Sequence, residues 1–364
     1  MGKQRGPGRA GVHRLLVALI TAGMLAGCQR EEPELPIQTI PDSAVLAAFG
    51  QLEDSTGSRI VQSVRDATLS PSGRHLVIGD GVPPYLRIVD LDSDSVVMWG
   101  RWGGAPDEMG LFLSADFLSD SVIVVMAAGS VHHVRVDGTW MSGRRTRAAG
   151  VHFGALTIAC GAQFYGYGMQ PSARQRDPLP WIFRLSVPSS PDSAPTVVPV
   201  LELPGVYRGY GTGQLVGLDG NDNGILYWHR AHPTTHTGYW IDCGDYSTES
   251  WDTVPQASPA LAVGARGIGL TLPDSMFKGA VVRDRAFLRA YTWEVDDRPI
   301  THIEVVEPDG CREIKLAGDW KLQDGHARGV VLSRLDPFPR AVLVDWAWMD
   351  DALVAADCSI GGPL

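Results

Sequence analysis

Six times along this chain a short polar or glycine-bearing turn leads into a run of β-branched and large apolar residues. That repetition limits the fold more than any other feature. The runs begin at Leu76, Val122, Phe164, Ile225, Phe287 and Leu353, after the turns PSGR, LSD, CGA, NDNG, RDR and MDD. Small polar and glycine residues of this kind close tight hairpins. The clearest unit is Leu69 to Gly110, where three runs, His75–Ile78, Tyr85–Val89 and Ser95–Trp99, follow a fourth that ends at Leu69. Four such strands make one small sheet with two open edges and two apolar faces, which is not stable alone. It needs neighbours like itself.

The spacings between the six apolar starts are 46, 42, 61, 62 and 66 residues. The shorter two match a four-stranded propeller blade, and the longer ones leave room for outer-edge loops such as Met169 to Pro180. Helical signals are few, and with Gly 42 and Pro 25 of 364 residues the composition favours an all-β chain. The prediction is an all-β, six-bladed β-propeller of four-stranded antiparallel blades. Leu76–Asp80 and Leu353–Asp357 align, which puts the end of the chain about two strands into its last blade. A strand from the N-terminal side, within Ile37 to Gln51, is then expected to complete that blade and close the ring.

Residues 1–27 read as an export signal rather than as part of the fold. Lys3, Arg5, Arg9 and Arg14 form a basic region, and Leu15 to Leu25 is an apolar run too short to span a bilayer as a mature helix. Leu25-Ala26-Gly27-Cys28 resembles the lipobox of bacterial lipoproteins, in which the cysteine becomes the acylated first residue. The resemblance makes Cys28 the lipidation site. Two or three acyl chains would anchor the protein firmly, since each buried methylene contributes roughly 0.8 kcal/mol. Gln29 stands where an aspartate usually signals inner-membrane retention, so the resemblance points to the outer membrane, facing periplasm or cell surface. Residues 28–41 are a Pro- and Glu-rich tether, and 42–364 the propeller.

Removing the signal takes the formal net charge from −10 to −14. A domain this acidic has no electrostatic means of holding a phosphate backbone, which argues against a nucleic-acid partner. Cys160, Cys243, Cys311 and Cys358 would meet an oxidising compartment. They either stay free and buried or pair, and blade adjacency then favours Cys160 with Cys243 and Cys311 with Cys358.

A strand ending Gly-Asp or Ala-Asp, a strand like Leu86–Leu91 and a Gly-rich segment together resemble the NHL-like six-bladed propeller lipoproteins of bacteria, within the TolB-like class. The family's G-x-x-G-x-G-P-G-E-F is matched here by Gly100, Gly103, Pro106 and Glu108, with Ala105, Asp107 and Met109 at the other positions. The resemblance is sharp over residues 58–130 and implies a fold, since propellers host unrelated functions.

Candidate sites are few. Asp66 and Asp345 are placed by the repeat on first strands of neighbouring blades, where they would face one another in the channel, hold a cation, or hydrogen-bond across the seam. His229, His232 and His236 have metal-like spacing, but Pro233 breaks any helix that would align them, and solvated loop histidines are the simpler reading. Asp219 to Gly224 copies the opening of a calcium loop, yet Arg230 stands where the bidentate Glu is required, so a hairpin turn is preferred. The eleven tryptophans suit inter-blade packing better than a sugar platform. No G-x-S-x-G, H-E-x-x-H or P-loop occurs, and asparagine is confined to 221 and 223, unlike the calcium sites of propeller lactonases. The chain therefore reads as a lipid-anchored binding or scaffolding module for a protein or glycan, with no cofactor or metal assigned. The alternative is a metal-dependent hydrolase or lyase with Asp66 and Asp345 in its channel.

Overall fold

Successive residues of each second strand face opposite neighbours, which is why these runs are apolar throughout instead of alternating. Ile123 and Val125 pack toward the preceding sheet while Val124 and Met126 pack toward the following one. Ile225 and Tyr227 divide from Leu226 and Trp228 in the same way. A computed structural model of the chain describes residues 36–50, 57–105, 108–145, 152–161, 163–170, 179–186, 196–202, 216–229, 237–252, 277–283, 286–295, 298–307, 310–326, 328–335 and 338–356. They form six four-stranded antiparallel blades in a ring, a six-bladed β-propeller.

Blade I comprises Val64–Leu69, His75–Asp80, Leu86–Asp90 and Ser95–Trp99, and blade II comprises Phe112–Ser119, Val122–Ala127, Ser130–Arg135 and Trp140–Arg145. Blade III is His152–Ala159, Gln163–Gln170, Leu179–Ser186 and Thr196–Glu202, and blade IV is Val216–Gly220, Gly224–His229, Thr237–Asp242 and Thr248–Asp252. Blade V is Phe277–Arg283, Ala286–Val295, Arg298–Glu307 and Gly310–Ala317. Blade VI takes Lys321–His326, Gly329–Arg334 and Arg340–Asp345 from the C-terminal part and Val45–Phe49 from the N-terminal part. Six apolar clusters fill the six seams between blades, so the core is a ring of interfaces with no single centre. Fully burying a Val, Leu, Ile, Phe or Met side chain in these seams is worth about 1.5–3 kcal/mol.

The closing strand lies within the window expected from the sequence, but the sixth repeat does not. The last blade's second strand is Gly329–Arg334, and Trp346–Ala352 is a short helix. The Asp345 side chain accepts the Ala347 N–H at 3.0 Å as its N-cap. Leu353 ends that helix and does not open a blade. Val354–Ala356 instead pairs antiparallel with the outer strand of blade V, opposite Cys311–Glu313.

Both ends of the described chain thus cross one seam. Ile37–Gln38 adds to the outer strand of blade V beside Lys315 and Leu316, and Val45–Phe49 then completes blade VI. The C-terminal segment runs back from blade VI to blade V. The N-terminal strand leaves at Gly50, whose φ of +98° and approach to the Pro339 carbonyl, where a Cβ would sit 2.0 Å from the oxygen, require glycine.

Phe49 is fully buried in the VI–I seam, against Leu343 and Leu76. Phe49→Ala is expected to lower unfolding free energy by about 3–5 kcal/mol, while Leu46→Ala on the exposed side of the same strand changes it by less than about 0.5 kcal/mol, both read by urea titration.

Candidate functional site

The innermost strands converge on a channel, and what they carry near their ends decides its chemistry. Asp116, Asp219 and Asp324 sit at matching positions in blades II, IV and VI, opposite Val124, Leu226 and Val331 of the adjoining strands. Thr68, Thr157 and Val281 hold that position in blades I, III and V, opposite Val77, Tyr165 and Leu288. Each aspartate reaches one blade onward. The Asp116 carboxylate accepts the Ile158 N–H at 2.7 Å, Asp219 the Val282 N–H at 2.6 Å, and Asp324 the Leu69 N–H at 2.6 Å. Asp116 and Asp324 also accept the N–H of the next residue in their own strands, at 2.7 Å each. Three seams, II–III, IV–V and VI–I, are therefore bridged by a carboxylate that satisfies a backbone donor of the facing strand.

The other seams use different means. At I–II, Asp66 accepts the Ala115 N–H at 3.0 Å. At III–IV, Cys160 and Cys243 form a disulfide, so the pairing that blade adjacency favours is present and these two cysteines are not free. The turn between them is a hub. Asn221 accepts the N–H groups of Asn223 and Gly224 on its side chain, the Asn221 and Asn223 carbonyls accept from Cys160 and Cys243, and Asp222 accepts from Gly161. Asp219-Gly220-Asn221-Asp222-Asn223-Gly224 is accordingly a hairpin turn, and Arg230 lies outside the described residues. Seam V–VI holds a large apolar cluster and the crossing of the two chain ends. Cys311 is also disulfide-bonded, while Cys358 lies outside the described residues.

Asp116, Asp219 and Asp324 line one cavity of about 360 Å³ at the channel end bearing the first-to-second-strand turns, together with Asn221, Asp222 and His326. Enclosure by protein raises all three carboxyls above the usual range. Asp116 is pushed up to about 7, chiefly by burial, with the Ile158 N–H pulling back and the charges of Asp324 and Asp66 adding to the rise. For Asp219, burial again leads, followed by the charge of Asp324. All three hold backbone donors, and Asp116 is also drawn toward holding its proton near neutrality. Among the described residues, no set of three His, Cys, Asp or Glu is placed to hold a metal.

A second polar set crosses the blade V sheet. Arg289 pairs with Glu304, which also accepts the Tyr291 hydroxyl at 2.8 Å, and the Tyr291 ring stacks on His302, itself paired with Glu313. The Arg289 and Glu304 charges are matched to each other.

The residues singled out by sequence end up apart. Asp66 is on the first strand of blade I and bridges a seam, whereas Asp345 ends the third strand of blade VI and caps the helix. The structure does not bring them together. His229 ends a strand of blade IV, and His232 and His236 lie outside the described residues. Trp99, Trp228 and Trp346 are buried in or beside seams, but Trp102 is 67% exposed. The bridging role of Asp116, Asp219 and Asp324 had a weak signal in the sequence. Asp219 and Asp324 fall six residues before Ile225 and Val330, but Asp116 falls seven before Ile123, because the blade II hairpin carries a bulge between them.

No family model matches the chain, and no curated protein matches its sequence. Among solved structures it is similar to a calcium-binding protein, regucalcin, from Agrobacterium tumefaciens, at 9% identity and TM-score 0.50 over 85% of this chain and 95% of that one. Looser likenesses are to a luciferin-regenerating enzyme (9% identity, TM-score 0.47, 83% and 94% covered) and to the Cps50 (Swd1) β-propeller domain of Myceliophteria thermophila (11%, 0.44, 77% and 96%). The six blades and the likeness to the regucalcin structure define the class as a β-propeller. At such identities the likeness extends to fold alone.

The Asp116 carboxyl titrates near 3.8 when unfolded and near 7 when folded, so its favourable contribution is complete below about pH 4 and is lost as pH rises through 7. The stability gap between wild type and Asp116→Asn should narrow from pH 4 to 7, by at most about 1.4 kcal/mol per pH unit, measured by chemical denaturation. A constant or widening gap would contradict the assignment.

Proposed function

We propose that this chain is an exported, lipid-anchored six-bladed propeller of the bacterial envelope, held at the outer membrane through Cys28, that serves as a binding or scaffolding module for a protein partner. The anchor reading is supported by the basic, apolar and Leu25–Cys28 segments in order.

The binding reading rests on one observation. In each blade the strands alternate in direction, so the second-to-third-strand loops and the links between blades emerge at the channel end opposite the aspartate cavity. There, on neighbouring blades VI and I, Leu335 is 63% exposed, Phe338 51% and Trp102 67%. Large apolar side chains presented at one end of a ring, with Trp among them, suit a protein interface. The hydrolase reading has less behind it, because Asp66 and Asp345 are occupied in separate places and the channel aspartates are taken up by backbone donors.

Cys28→Ala is expected to move the protein from the membrane fraction to the soluble fraction. Trp102→Ala should leave anchoring intact and weaken capture of the partner by about 2 kcal/mol, roughly 30-fold. If the first variant stays membrane-bound the anchor reading fails, and if the second captures partner as well as wild type the interface is elsewhere.

A further inference from the structure

We infer that the propeller stands edge-on to its membrane, with the outer edges of blades V and VI as the lipid-facing surface. The inference rests on the anchor at Cys28 proposed above, and adds where on the ring the bilayer lies.

The route of the chain carries it. Ile37 enters the fold as an added strand on the outermost edge of blade V, not at either end of the channel. From there the chain crosses to the outer edge of blade VI as Val45–Phe49. The nine residues from Cys28 to Ile37, at about 3.3–3.6 Å per residue, reach at most about 32 Å. An acylated Cys28 therefore keeps this rim, and no other part of the ring by covalent necessity, within that distance of the lipid headgroups.

The side chains on the two straps fit such a surface. Ile37 is 52% exposed, Leu46 45% and Val354 44%, and all three belong to segments added at the edge of a blade. Ile37 lies beside Lys315 and Val354 beside Glu313 along one edge of the same strand. Two residues of strand place them about 7 Å apart on the same side of that strand. Asp42, Asp350 and Asp351 are also exposed here, and Arg312 is already engaged by Glu307 and Asp350. Contact is thereby limited to the interface and does not extend to insertion. Edge-on placement leaves both ends of the channel open, one with the aspartate cavity and the other with Trp102, Leu335 and Phe338.

The test is hydroxyl-radical footprinting of the full acylated chain in phosphatidylethanolamine–phosphatidylglycerol vesicles, compared with the Cys28→Ala chain in solution. Mass spectrometry of the N-terminal peptide reports acylation separately. Severalfold protection of Ile37, Leu46 and Val354, with Trp102, Leu335 and Phe338 unchanged, is the expected result. An acylated chain that protects the Trp102 end, or leaves Ile37, Leu46 and Val354 as reactive as in solution, overturns the edge-on placement while leaving the anchor standing. An unmodified Cys28 removes the anchor and the placement with it.

Discussion

A blade of this protein has two apolar faces and no means of covering either by itself, so everything depends on what passes between blades. The burial of Ile123 toward one neighbour and Val124 toward the other supplies most of the free energy, but it is non-directional. Direction comes from polar bridges near the axis. Where Asp116, Asp219 and Asp324 each take a backbone N–H from the facing blade, the angle and height of one first strand are set against the next. A carboxylate at these positions also puts charge into the channel, and enclosure answers by favouring protonation. The same three residues thus fix the geometry of the ring, and Asp116 makes its interior sensitive to pH near neutrality.

The bridges alternate with other devices, and the alternation follows the sequence. Blade III carries Thr157 at the aspartate position, and the seam after it has the Cys160–Cys243 disulfide and the Asn221–Asn223 turn. Blade V carries Val281, and the seam after it is filled by apolar side chains and spanned by both ends of the described chain. A ring must be closed somewhere, and here closure is made from two directions at one place. That arrangement also decides where the N-terminal tether departs, and so links the way the fold is sealed to the way it is proposed to face a membrane.

Much of the ring was legible because its signals are local. Turns that close tight hairpins and the apolar residues after them fixed five of the six second strands, at Leu76, Val122, Phe164, Ile225 and Phe287. The sixth failed because Leu353–Asp357 looks like Leu76–Asp80 as a string, while Asp345 capping a helix-compatible Trp346–Ala352 outweighs that likeness. The true hairpin, His326 paired with Gly329, has the sequence Ala327-Arg328 between them, without the Gly, Ser, Asp or Asn that the other five turns carry. The same likeness puts Asp345 on a first strand beside Asp66, whereas it ends a third strand and caps the helix. Seam-bridging aspartates are harder to read, because a carboxylate that holds a backbone N–H in the next blade leaves no periodic trace once turn lengths vary. Trp102, Leu335 and Phe338 lie in loops far apart in sequence, and only the closed ring brings these loops to one end of the channel.

The blades are held as one cooperative ring, with backbone donors shared across four of the six seams. Native-state hydrogen exchange of the Leu69, Ala115, Ile158 and Val282 amides tests this most directly, since each is given to an aspartate of the preceding blade. All four should exchange only through global unfolding, with one common free energy equal to that from denaturant titration. Exchange of any of them through a separate, lower-energy opening would mean that its seam parts independently and that the carboxylates do not hold the ring together.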